Sequence, residues 1–318
     1  MCRPSLCRPS VPSAVDRYFL VCQTDCVTEL ADHSIDQNSI RQISTPAAIN
    51  ILIKPRKGWQ TVDFAEAFRY RELFFFLAWR DIKIRYRQTM LGGLWAVLQP
   101  LLAMLIFSFV FNRLAGVRSD GPPYALFVFA GLAPWTFFSN AVTQSSNSLL
   151  ASERLVSKIY FPRIFIPMAA AGGLLLDFFV SLTLVAVLML HYHWPFTYHV
   201  LLLPVFVLGI FLAASGLGLA LSACNVIFRD VKYAVPFFIQ MGLFVTPVVY
   251  PLRYVPQRWQ GLMGLNPMTG MILGLRHALL GSPVPLKLEL VSFAICVGLF
   301  VSGLLIFRRI ERKFADMI

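Results

Sequence analysis

Asp177 stands out among the residues that could do chemistry, because it is an acidic side chain inside a long apolar run. A carboxylate at bilayer depth is costly, so it marks either a partner or a function. Three roles are open to it: pairing or hydrogen bonding within a helix bundle, contact with a transported molecule, or a proton relay. A relay needs partners, and no Lys, Arg or His lies in the same run, 164–190. A second set is basic. Arg69, Glu72, Arg80, Lys83 and Arg87 recur at helical spacing along one stripe. Tyr70, Phe74, Leu77 and Ile84 form another, apolar stripe that is interrupted at Asp81. This is the pattern of a helix lying along a membrane surface, with its basic side turned to water or phosphate. The same charges also serve to fix topology.

Aromatic residues make up 14% of the chain and crowd particular runs. Trp95, Phe107, Phe109 and Phe111 share the first; Phe237, Phe238, Phe244 and Tyr250 share the fifth. Such faces suit the C–H faces of sugar rings in a channel, and they equally suit lipid contact and packing. A polar loop of mixed charge, 147–163, carries Ser152, Glu153, Arg154, Lys158 and Arg163 and is closed by Pro162. It reads as a solvated connector or as a short helix that docks on a soluble partner.

Several chemistries are missing. There is no GxxxxGK[ST] phosphate loop, no HExxH helix and no GxSxG elbow, so no catalytic residue is assigned and ATP is not hydrolysed by that route. Cys22, Cys26 and His33 are poorly spaced for zinc and lack a clear fourth ligand. No metal site is assigned, and the cysteines read as free thiols. The net charge of +12 sits mostly beside and between apolar runs, and no aromatic-plus-basic module for nucleic acid stands out.

The elements that must position these residues are membrane helices. Of 318 residues, 57% are hydrophobic and only 14% charged, against about 25% charged in a soluble chain. Apolar runs of about 20 residues recur, the length that crosses the hydrocarbon core as a helix. They predict an all-α integral membrane protein with six transmembrane helices, at about 91–112, 124–146, 164–190, 200–223, 234–252 and 288–307. Residues 1–60 are polar, rich in Ser and Pro, and read as a disordered tail. Residues 61–90 read as the amphipathic interface helix, and 91–318 as the six-span domain. The stretch 253–287 is rich in Gly and Pro and reads as two short re-entrant helices dipping into the outer face. Lys and Arg concentrate on one side, at 69–90, at Arg154, Lys158 and Arg163, at Arg229 and Lys232, and at 308–313. The other side holds Arg113, Arg118, Arg253, Arg258, Arg276 and Lys287. Both termini are therefore expected in the cytoplasm.

The stretch from Trp79 to Pro100, WRDIKIRYRQTMLGGLWAVLQP, resembles the permease family of ABC polysaccharide exporters, which move O-antigen, teichoic acid or capsule. Further matches fall in order: Pro134-Trp135, 147–162, Asn225 to Val231, Asn266 to Gly270, and the ending 307–318 with Phe314 and Asp316. The resemblance covers roughly 62–318. It implies a homodimer in the bacterial cytoplasmic membrane with two separate ABC ATPase subunits, on which ATP and Mg would act; this chain binds no cofactor itself. It implies that Ser152 to Tyr160, including Glu153, Arg154 and Lys158, is a coupling helix seated on the ATPase. It places Arg80, Lys83, Arg85 and Arg87 at an entrance for a polyprenyl pyrophosphate-linked glycan. It makes the first and fifth spans pore-lining, through Trp95, Phe107, Phe237, Phe238, Phe244 and Tyr250. An exporter of the same architecture for a drug, lipid or other small molecule is the alternative. A membrane glycosyltransferase or proton-coupled carrier would need more acidic or histidine residues in the spans.

Overall fold

In hydrocarbon an open strand edge cannot satisfy its backbone, so long apolar runs close their hydrogen bonds within helices. The computed structural model describes residues 71–87, 94–119, 121–153, 155, 161–282 and 285–311, and it contains no strand among them. The chain divides into Met1–Thr61 and Val62–Ile318. The expected tail and the first ten residues of the expected interface helix lie outside the described residues.

Helix α1 spans Arg71–Arg87. Helix α2 (Leu94–Phe107) continues into a wide π-helical turn, Ser108–Leu114. The long α3 covers Tyr124–Ala151. Helices α4 (Phe165–Gly173) and α5 (Leu175–His191) meet at Leu174. A 3-10 turn, Tyr198–Leu202, leads into α6 (Leu203–Ile227). There follow α7 (Val231–Val245), a 3-10 turn at Leu252–Tyr254, α8 (Gln257–Met263), α9 (Pro267–Leu280) and α10 (Leu286–Glu311).

Among the described residues, five helical stretches are long and apolar enough to cross a membrane: Leu94–Leu114, Tyr124–Ala151, Phe165–His191, Tyr198–Ile227 and Leu286–Glu311. The chain is a multi-pass membrane protein whose described residues form helices and no strands. The remaining expected span, 234–252, is represented by α7, which has only 15 residues. Its helix stops because Thr246 precedes Pro247; the proline ring pushes the preceding residue out of helical geometry, and Thr246 is extended at φ −89°, ψ 139°.

Helix α3 is the axis of the bundle and buries most of its length, against α6, α4, α5 and α9. Its last two turns are polar, yet they remain helical beyond the expected boundary at 146. The side chains find partners: Ser145 Oγ donates to Pro167 O at 2.8 Å, Asn147 Nδ2 to Thr143 O at 3.0 Å, and Asn225 Nδ2 to Ser146 O at 2.9 Å. Helices α6 and α10 cross backbone to backbone. A methyl group on Gly303 would lie 2.0 Å from the Gly216 carbonyl oxygen. Small residues at such a crossing are how membrane helices gain contact when lipid is as apolar as the side chains. A second apolar cluster unites Leu77 and Ala78 of α1 with Leu149, Phe161, Phe165, Leu219, Val226 and Phe307.

Candidate functional site

Helix α1 sits where α4 offers no side chains. A methyl group on Gly172 would lie 2.9 Å from Phe74 Cζ, and one on Gly173 would lie 3.3 Å from the Ala78 carbonyl oxygen. Leu77 and Ala78 are buried in this seat, while Phe75, Phe76, Trp79 and Ile84 are exposed. Docking at this point carries the C-terminal end of α1 to the first turn of α5.

The four expected headgroup cations then part company. Arg80 donates through Nε and Nη2 to Asp81 Oδ1 at 3.0 and 2.9 Å. Lys83 and Arg87 are exposed, and Lys83 Nζ lies 5.7 Å from the Trp79 ring centre. Arg85 turns inward. Its Nη1 pairs with Asp177 Oδ2, and its Nη2 donates to Gln144 Oε1 of α3 at 2.7 Å. Tyr86 donates its hydroxyl to the other Asp177 oxygen, Oδ1. Burial, followed by the Asp177 carboxylate it bonds, pushes the Tyr86 phenol up to about 12. Asp177 itself lies in the first turn of α5, where a carboxylate favours the helix dipole. Asp177 is therefore paired, with partners that come from α1 rather than from its own span. Gln144 and Tyr86 were not singled out from sequence. The signal for them was indirect: a carboxylate with no cation in its own run must draw one from another element.

The mixed-charge loop opens at Ser152, whose N–H donates to Ser148 O and Leu149 O at 3.1 Å and so closes α3. Glu153 is exposed. Arg154, Lys158 and Tyr160 lie outside the described residues. On the far side, Phe161, Ile164, Phe165 and Ile166 are buried, so the loop leaves from and returns to packed structure.

The expected channel aromatics lie in different surroundings. Trp95 is exposed in α2, and Phe107 is half-buried and stacked on Phe111 with centres 5.9 Å apart. Phe237, Phe238 and Phe244 are exposed on α7, which buries only Val235 and Ile239. Tyr250 instead folds back on α7, its hydroxyl donating to Phe244 O and Val245 O at 3.0 and 3.3 Å.

The segment after α7 is organised by Arg276, which the charge count had placed among the outward-side cations. It is buried, at 1% exposure. Its Nη1 donates to Pro247 O at 2.8 Å, its Nε to Phe127 O at 3.2 Å, and its Nη2 to Val248 O. Gly131 makes room, since a methyl group there would lie 2.3 Å from Nη2. Tyr124 donates to Val249 O at 2.6 Å, and Asn266 caps α9 while donating to Thr246 Oγ1 at 2.8 Å. Arg276 and Tyr124 thus satisfy the carbonyls of 247–249, the condition under which irregular backbone is tolerated at membrane depth, and Asn266 ties in the Thr246 side chain. Beside Arg276, His277 Nδ1 lies 3.3 Å from Glu289 Oε1, and the His199 ring meets the His277 ring edge-on at 4.6 Å.

Residues 72–280 match the sequence profile of the ABC-2 type transporter family. The O-antigen export system permease protein RfbA of Myxococcus xanthus is 33% identical over 257 residues, covering 80% of this chain and 98% of that protein. A protein of the same name from Klebsiella pneumoniae is 29% identical over 242 residues, 75% of this chain and 92% of that one. The polysialic acid transport protein KpsM of Escherichia coli is 24% identical over 239 residues, 73% and 91% of the two chains.

Proposed function

The chain belongs to the ABC-2 type transporter family, and from that premise we propose that it is the permease subunit of an ATP-driven exporter of lipid-linked polysaccharide. The alignment along nearly the whole length of an O-antigen export permease carries this reading. The substrate is a glycan on a polyprenyl pyrophosphate, moved across the bacterial cytoplasmic membrane. Two copies of the chain enclose the path and two ABC ATPase subunits drive it, with ATP and Mg held by the ATPases. Both termini lie in the cytoplasm. Helix α7 with the irregular segment behind it makes the sixth crossing, α1 is the interface helix, and α8 and α9 are the re-entrant pair on the outer side.

The side chains take roles on that frame. Lys83 and Arg87 meet the pyrophosphate first; a phosphate oxygen is a strong acceptor and a guanidinium its matched donor. The exposed faces of α2 and α7, with Trp95, Phe237, Phe238 and Phe244, offer flat apolar surface that tolerates different sugars. Residues 152–160 seat on the ATPase, and the packed residues at each end of that loop pass its displacement to α3 and α4 as a shift between conformations.

Deletion of the gene tests the proposal. Polymer is expected to accumulate on the cytoplasmic face and to return to the cell surface on complementation. Unchanged surface polymer in the deletion strain refutes it.

A further inference from the structure

Arg85 cannot serve both of the groups that want it. An α-helix turns 100° per residue, so Arg85 lies about 200° round α1 from both Lys83 and Arg87. Lys83 and Arg87 face outward, whereas Arg85 is spent on Asp177 and Gln144. A single diphosphate therefore cannot be gripped by all three cations while α1 keeps its present seat. The pair is nonetheless reachable, since the Arg85 and Asp177 side chains are 25% and 26% exposed. A carboxylate and a phosphate offer the same pair of oxygens to a guanidinium fork, and the diphosphate brings more charge.

We propose that the Arg85–Asp177 pair is a latch opened by the anionic headgroup of the substrate. Asp177 holds Arg85 in the resting chain; the incoming diphosphate takes Arg85 over, and the end of α1 rolls away from α5. Asp177 is then a positioning residue, an internal stand-in for the phosphate. The exchange strips Asp177 of its cation and, as α1 moves, of the Tyr86 hydroxyl. A half-buried carboxylate left without partners is unfavourable, and that recloses the latch once the headgroup has passed. The inference rests on the lipid-diphosphate reading given above.

The test uses the full chain in lipid nanodiscs, with geranylgeranyl diphosphate as the probe and inorganic diphosphate and geranylgeraniol as controls. Probe affinity is measured together with hydrogen exchange of the α1 amides. The wild type is expected to bind geranylgeranyl diphosphate and to show faster exchange near Arg85 when it does. Asp177→Asn is expected to exchange fast without ligand and to bind the probe roughly tenfold more tightly, because a latch closed about nine-tenths of the time lowers apparent affinity by that factor. The double variant Arg85→Asp with Asp177→Arg keeps a pair and a folded chain; it is expected to exchange slowly and to lose the response to the probe. A response to inorganic diphosphate alone supports the latch and assigns its anion to a soluble source. Binding to the wild type with α1 exchange unchanged, or no gain in affinity in Asp177→Asn, overturns the latch and leaves the lipid-diphosphate reading standing. Probe binding no better than that of geranylgeraniol, together with no response to inorganic diphosphate, overturns both.

Discussion

The guanidinium of Arg276 lies over the face of Phe127, 3.7 Å from the ring centre, while the same residue's backbone carbonyl accepts from Arg276 Nε. One side chain from α9 thus grips α3 twice and the irregular segment 246–249 at two further carbonyls.

Removing that grip is expected to loosen the segment. In Arg276→Leu the carbonyls of Phe127, Pro247 and Val248 lose this donor, at about 1–3 kcal/mol for each acceptor left unpaired. Arg276→Lys keeps the charge and loses the planar fork, so it should fall between. Gly131→Ala should resemble Arg276→Leu, because the added methyl enters the space of Nη2. Thermal unfolding of detergent-solubilised protein measures this, and a wild-type melting temperature in both Arg276→Leu and Gly131→Ala would show that the anchor is dispensable.

Two glycines of α10 separate close packing from helix propensity. Gly303→Ala drives a methyl against the Gly216 backbone, which has no flexible atom to yield, and should cost about 1–3 kcal/mol. Gly298 is exposed with nothing within 4 Å, so Gly298→Ala should instead gain about 0.5–1 kcal/mol. The same melting experiment checks both, and equal shifts would mean that the α6–α10 crossing is not what the glycine serves.

Tyr86 should leave a signature at high pH. Its phenol is raised in the folded chain to about 12 from an ordinary value of 10, so its neutral form favours folding. That contribution is complete below about pH 10 and is lost as pH climbs through 12. Tyr86→Phe removes the ionisation and is expected to lose less stability than the wild type between pH 10 and 12. Parallel alkaline titrations followed by circular dichroism would reveal the difference, and superimposable curves would remove the role assigned to the hydroxyl.

The coupling role of 152–160 predicts a separation of two activities. With Glu153→Ala, Arg154→Ala and Lys158→Ala combined, the assembled complex should still hydrolyse ATP while export falls about fivefold or more. ATPase assays on the purified complex and surface-polymer immunoblots measure the two. Undiminished export with equal protein in the membrane would return the loop to the status of a connector.

Hydropathy located the five long apolar helices well because the length of an apolar run is a local property. The expected 164–190 and 288–307 became Phe165–His191 and Leu286–Glu311. Where tertiary partners decide, the sequence was less readable. The expected boundary at 146 fell short because Ser145 donates to Pro167 of α4 and Asn225 of α6 donates to Ser146 and Asn147, and a polarity count sees only polar residues. The fifth run read as continuous to 252, but Pro247 ends the helix and Arg276, some thirty positions on, supplies its carbonyls. Asp177 was recognisable as a residue in need of a partner. That the partner is Arg85, which had been assigned to a headgroup, depends on how α1 docks, and the Gly172-Gly173 seat that sets this docking lies in α4, far downstream of α1 in the sequence.

Helix α3 begins at Tyr124, which holds Val249, and ends at Ala151, just before Ser152 opens the mixed-charge loop. Its 28 residues span about 42 Å at 1.5 Å per residue. The two regions assigned to opposite sides of the membrane are therefore the two ends of one strut. A thrust delivered at the loop would travel along this one helix as far as Phe127, whose carbonyl accepts from Arg276. Pro134, the proline within this helix, is where such a strut would bend under load.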